Sequence, residues 1–345
     1  MKNILDIDNN TALSELKGKD LQEFLAFLDN YDIRYRDQLN FEEKDTFGIE
    51  IEYEKINKNK HKKMEVLEYS GAFPSWKFVF DSSLYHGCEV DSPILKDTKE
   101  AWQGLKDICE HLRKYSIIWY NCGGHIHIAA TSLGEDLKVW INFLKLWQSY
   151  ENIIFRFSYG EYLTPRPRII RFAYPISNEL EKILTKENLD SCVDPYSIIW
   201  SSLFDFEKDN AVNLNHIEDL KKNQYGNTIE FRCPNGTLNP IVWQNNINLF
   251  MHLLMYSRSL NYNKDIVDNR YNINKEKYFK GLEAIDLIRI YNEIYLEQSL
   301  EFADMLFDNN LDKINFLKQY LKSFEVGTKN LQKSKTFSKS LKRGL

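Results

Sequence analysis

The chain has 345 residues, a net charge of −5 and 14% aromatic residues, enough length and apolar area for one large core or two modest ones. The charge balance provides no broad basic field and argues against nucleic acid as a partner. No stretch reaches the length of a membrane-spanning helix, and the first eight residues lack the apolar run of a signal peptide. Cys88, Cys109, Cys122, Cys192 and Cys233 are odd in number and contain no Cys-x-x-Cys pair. They read as reduced thiols of a cytoplasmic protein, with Cys122 a buried filler rather than a nucleophile.

In chain order, the apolar spacing of Leu13, Leu16, Leu21, Phe24, Leu25 and Leu28 predicts helix over 12–36, within an accessory segment spanning 1–45. Strands begin at Phe47. In Gly48-Ile49-Glu50-Ile51-Glu52-Tyr53 the period of two puts Glu50 and Glu52 on one face and Ile49, Ile51 and Tyr53 on the other. Taken alone, the two acids read equally well as outward charges of an edge strand. A charged excursion covers 57–63. Next come Trp76-Lys77-Phe78-Val79-Phe80-Asp81, a turn, and Glu89-Val90-Asp91-Ser92-Pro93. Asp81 reads first as a turn residue. A helix is predicted near Thr98–Tyr115 with Asp97 as its cap, then Gly123-Gly124-His125-Ile126-His127-Ile128 as a strand. The two imidazoles share a face. They suit zinc, a core hydrogen-bond network or phosphate, and the glycines indicate that something approaches the backbone closely.

A helix follows near Leu133–Phe157, then a Pro-broken segment with Arg166, Arg168 and Arg171. Three guanidiniums within six residues suggest an anion partner, although each alone is more often solvated. Residues 179–209 read as mostly helical. Asn213, in Ala211-Val212-Asn213, and Asn235, before Gly236, both sit where turn residues are common. Ile229-Glu230-Phe231-Arg232 alternates as a strand with Glu230 and Arg232 on one face. A helix begins at once, with Asn239 as cap and Pro240 first. A helix-rich region spans 263–327. The tail 328–345 holds six Lys or Arg and no acid, and reads as disordered.

The order Glu-x-Glu, Asp…Glu-Val-x-Ser-Pro, Gly-His-x-His, Arg cluster, Ala-Val-Asn and Glu-Phe-Arg…Asn-Gly-Thr-Leu resembles the amidoligase family. These are carboxylate–amine ligases related to glutamine synthetase and glutamate–cysteine ligase. The resemblance runs from Phe47 to Leu260, about 60% of the chain. It implies an α+β fold, in which a curved, mainly antiparallel sheet carries helices on its outer side, with a glutamine-synthetase-like catalytic domain over 46–262.

It also implies ATP and two Mg2+ or Mn2+ ions, with a small-molecule or peptide carboxylate and an amine joined through an acyl phosphate. The metal set would be Glu50, His125 and Glu230 on the ATP side and Glu52, Glu89 and Asp81 on the substrate side. Better-known ligases carry the longer Glu at the position of Asp81, so a bridging water would extend its reach. ATP would meet His127, Lys77, Arg166, Arg168 and Arg232; Arg171, Arg232 and Glu230 would serve catalysis; Asn213 and Asn235 would hold substrate. This chain lacks the Cys of the family's Arg-x-x-Tyr-Cys-x-Pro. It has Lys208-Asp209-Asn210 where an Arg-Tyr often stands, so no role transfers there. A homo-oligomer is compatible with this reading. Two alternatives stay open: a zinc hydrolase or lyase built on His125 and His127, and an inactive nucleotide-binding homologue.

Overall fold

The structure, a computed structural model, describes residues 9–55, 73–84, 87–199, 208–221, 226–279 and 281–322. The charged excursion at 57–63 and the basic tail at 328–345 lie outside the described residues. The fold is α+β with an open antiparallel sheet.

The predicted helix over 12–36 is shorter than its apolar spacing suggests. A single 3-10 turn, Leu13–Glu15, precedes α1 at Gly18–Asn30. Gly18, the first residue of α1, has φ +53°, a left-handed conformation that glycine adopts without steric cost. The strands are β1 (Phe47–Lys55), β2 (Lys77–Phe80) and β3 (Gly87–Asp91), followed by α2 (Lys99–Tyr115), β4 (Ser116–Ile117), β5 (Gly124–Ala129) and α3 (Leu137–Ser158). The cap of α2 is Thr98, which accepts from Ala101 N; Asp97 instead accepts from Leu39 N, Phe41 N and Trp102 Nε1. Two long-range donors and the nearby Trp102 indole outcompete the local cap, a choice that helix-end rules cannot anticipate.

Short helices follow: α4 (Ile169–Phe172), α5 (Ser177–Ile183), α6 (Lys186–Ser191) and α7 (Pro195–Ile199). Then come β6 (Val212–Asn213), β7 (Thr228–Phe231) and α8 (Pro240–Arg258). Asn239 caps α8 by accepting from Ile241 N, with Pro240 in the first turn, as the sequence predicts. The helix-rich end comprises α9 (Lys264–Asn274), α10 (Ala284–Ile290), α11 (Leu296–Leu306) and α12 (Asn310–Leu321).

The strand order is β2-β3-β1-β5-β7-β6, with β4 paired to β1. Alternation sends Ile49, Ile51, Val90, Ile126, Ile128, Ile229 and Phe231 to one face, where all are buried. That face packs on α2, α3 and α8: Phe47 stacks on Trp102, and Phe231 on Trp147 and Phe250, with centroids 4.2–5.8 Å apart. Helix α8 is buried nearly all round, and its amide side chains tie outer elements to it. Gln244 bonds the backbone of Arg36, Asn245 meets Gln319, and Asn248 meets Asp312. Helices α9, α11 and α12 pack behind α3 and α8, which leaves the opposite, polar face of the sheet to the loops.

Candidate active site

Register decides which polar residues meet. Antiparallel pairing puts Glu50 opposite Asp91 on β3 and opposite His125 on β5; Glu52 faces Glu89, and His127 faces Glu230, which in turn faces Asn213. Directly opposed side chains lie on one face of a sheet, so a continuous row of acids and imidazoles crosses β3, β1, β5, β7 and β6.

Glu50 stands at the centre. Its Oε2 lies 2.6 Å from His125 Nδ1 and its Oε1 lies 2.8 Å from His127 Nε2. Burial alone would raise its pKa, but the hydrogen bonds and charges of the two imidazoles outweigh it and hold Glu50 well below the usual carboxylate range. Glu52 accepts from Gly123 N at 2.5 Å through Oε2, while its Oε1 lies 3.5 Å from His125 Nε2. Glu230 is buried between Arg232 Nη1, Asn213 Nδ2 at 2.7 Å and His216 Nε2 at 3.1 Å. Against the upward pull of burial, His216, the other imidazoles and Arg232 bring it down to about 2. Glu89 moves the other way, raised by burial and by the negative charges of Glu50, Asp91 and Glu52. Asp91 is raised by burial and by Glu50, and its buried Oδ1 has no hydrogen-bond partner.

Among the described residues, three overlapping sets of ligand atoms result: Glu50, Glu89 and His125; Glu50, His127 and Glu230; Glu52, Asp81 and Glu89. Within each set the atoms lie within 4.8 Å of one another. Oxygen-rich donors, carboxyls pushed up by burial and mutual repulsion, and an unpartnered buried oxygen on Asp91 fit divalent cations. Asp81 also accepts from Ser83 N and Oγ, which fixes it at the turn after β2.

A cavity of about 320 Å³ opens over the β3, β1 and β5 part of this row, where Glu52, Asp81 and Glu89 line it together with Arg168, Arg232, Lys208 and Asp209. Arg232 is aimed by Glu230 and by Phe172 O, to which its Nε donates at 3.1 Å. Arg168 is exposed at the rim in a left-handed conformation, φ +62°. Arg166 also touches this cavity but is buried; it donates to Pro234 O and Arg232 O, and so clamps the segment after β7. Arg171 is exposed on α4 with its guanidinium over the Phe172 ring, and does not line the cavity. Lys77 is exposed on β2, opposite Asp91. Asn235 commits its side chain to backbone, accepting from Arg166 N and donating to Tyr159 O and Thr164 O. Asn213 joins Glu230 instead.

A second cavity, of about 150 Å³, lies beyond Glu50 and His127, walled by Phe47, Ile49, Pro93, Ile94 and His216. Asp91 and His216 escape the sequence reading. Asp91 shares the face of Glu89 two residues on, so the same alternation could have found it. His216 carries no local signal, because it reaches Glu230 from a turn.

No curated protein matches the chain, and no solved structure does. The profile of one family, described as "Putative amidoligase enzyme", matches residues 36–254, a span holding every acid, imidazole and arginine of the site. The chain therefore belongs to the amidoligase family.

Proposed function

We propose that the protein is an ATP-dependent carbon–nitrogen ligase, with residues 46–262 forming a catalytic domain of the glutamine-synthetase kind. It would join a carboxylate, on a small molecule or a peptide, to an amine through an acyl phosphate. One observation carries this reading: Glu50, Glu52, Asp81, Glu89 and His125 line a single cavity together with the cations Arg168, Arg232 and Lys208. A phosphoryl-transferring ligase needs cation sites and fixed positive charge in one place.

Glu52, Asp81 and Glu89 would hold one Mg2+ or Mn2+ ion, and Glu50, His127 and Glu230 a second, with His125 between them. Bound there, the ions supply charge neutralisation to the phosphates. The chain's own groups do the rest. Arg232, locked by Glu230 and Phe172 O, presents charge to the transferred phosphoryl group without reorganising. Arg168 adds charge from the rim. The carboxylate oxygen attacks the γ-phosphorus, the bond to the bridging oxygen breaks and ADP leaves. The amine then attacks the acyl carbon, phosphate departs with the former carboxylate oxygen, and the nitrogen loses a proton. Positioning supplies most of the acceleration.

The test pairs an ADP-release screen over carboxylates and amines with 18O-labelled carboxylates. ADP release that requires both partners, with one 18O carried into the phosphate, is the expected result. ATP binding with no turnover for any pair would favour an inactive nucleotide-binding homologue. Tight zinc with ester or peptide hydrolysis would favour a hydrolase.

A further inference from the structure

His216 sits in the turn after β6, outside every strand motif, yet it is built into the site. Its Nε2 lies 3.1 Å from Glu230 Oε2 and 3.3 Å from Asn213 Nδ2. The turn is pinned from both sides: Asn213 Nδ2 donates to the same Glu230 oxygen at 2.7 Å, and Asn213 Oδ1 accepts from Asn215 N at 2.9 Å. The His216 and His127 rings lie 5.8 Å apart, centroid to centroid, and both border the smaller cavity. His127 Nε2 in turn meets Glu50 Oε1 at 2.8 Å. At this corner Glu50, His127 and Glu230 have ligand atoms within 4.8 Å of one another, and His216 stands beside them, reaching the set through Glu230.

That donor set differs in kind from the Glu52, Asp81, Glu89 corner, which offers oxygen alone. Mg2+ is a hard ion that favours oxygen and retains its waters, whereas imidazole suits borderline transition-metal ions. We infer that His216 turns to join Glu50, His127 and Glu230 in a mixed imidazole–carboxylate site that selects a transition-metal divalent ion over Mg2+. The inference rests on the proposed reading of this row as a cation site and adds its selectivity. With 45% of its side chain exposed, His216 can turn toward a cation without disturbing the core, and can be replaced without unfolding the chain.

The test uses the full-length, tag-free protein, titrated with Co2+, Mn2+ and Mg2+. Co2+ is followed by its visible absorption and competed with Mg2+. Mg2+ should displace Co2+ from the tighter site only at about 100-fold excess or more. His216→Ala should weaken Co2+ and Mn2+ binding by about tenfold or more, change the Co2+ bands and leave Mg2+ affinity within about twofold. His216→Gln, which keeps a polar contact to Glu230, should behave like His216→Ala. A wild-type chain that binds these ions while the His216 variants leave Co2+ affinity unchanged overturns the inference alone. So does an equal loss for all three ions, which would mark His216 as a support for Glu230. A wild-type chain that binds no divalent ion overturns both the inference and the cation-site reading.

Discussion

Gly124 is packed against Trp243: a Cβ on Gly124 would stand 2.6 Å from the indole Cη2. The indole cannot retreat, because it is fully buried and its Nε1 donates to Thr237 O at 2.9 Å. Gly124→Ala is expected to cost about 1–3 kcal/mol through overpacking. It should also shift His125, the next residue on β5. Urea denaturation measures the first effect and the His125 imidazole NMR signals the second; an unchanged midpoint would show that the helix yields.

Glu50 sets the protonation of its neighbours. Burial pulls His127 down, but the hydrogen bond and charge of Glu50 prevail and raise it above the usual histidine value. Glu50→Gln removes that charge, so the His127 pKa should fall. Turnover should be lost as well, since Glu50 belongs to two of the three ligand sets. An NMR titration of the metal-free variant checks the direction, and a His127 pKa that stays put would mean another group holds the proton.

Metal binding should tighten as pH rises. Glu89 is raised by burial and by three neighbouring carboxylates, so above the ordinary carboxylate value near 4.5 it still carries a proton in the metal-free chain. A cation must displace that proton, so affinity climbs by up to about tenfold per pH unit for each proton released. The slope should disappear once pH exceeds the raised value. Glu89→Gln should flatten it while weakening binding, and calorimetry across pH reads both. An equally steep slope in the variant would assign the proton elsewhere.

The arginine-rich segment should divide by burial. Arg166→Ala leaves Arg232 O without that donor, takes from Pro234 O one of its two donors (the Gly124 N–H remains) and opens a void beside Gly123, for an expected loss of about 3 kcal/mol or more. Arg168→Ala, at the exposed rim, should leave stability within about 0.5 kcal/mol and weaken anion binding. Thermal unfolding and nucleotide titration separate the two outcomes; equal stability losses would contradict the division.

Much of the site was legible before any tertiary information. Alternation along a strand is a property of the pleat itself, so Glu50 with Glu52, His125 with His127 and Glu230 with Arg232 could each be given a face from the sequence alone. The start of α8 was equally legible, because Asn239 caps and Pro240 fills the first turn through contacts one or two residues away. Which strands are neighbours was not local information. That β1 lies between β3 and β5, in the register that opposes Glu50 to both Asp91 and His125, follows from burying the apolar face on α2, α3 and α8, whose Trp102, Trp147 and Phe250 lie far away in the chain. The close approach signalled by Gly123 and Gly124 proved to be made by Arg166 and Trp243. Three arginines alike in the sequence separated into a buried clamp, a rim cation and a residue outside the cavity. Their environments come from the packing of β5, β7 and α4, and His216 enters the site only because a turn after β6 is pinned to Glu230.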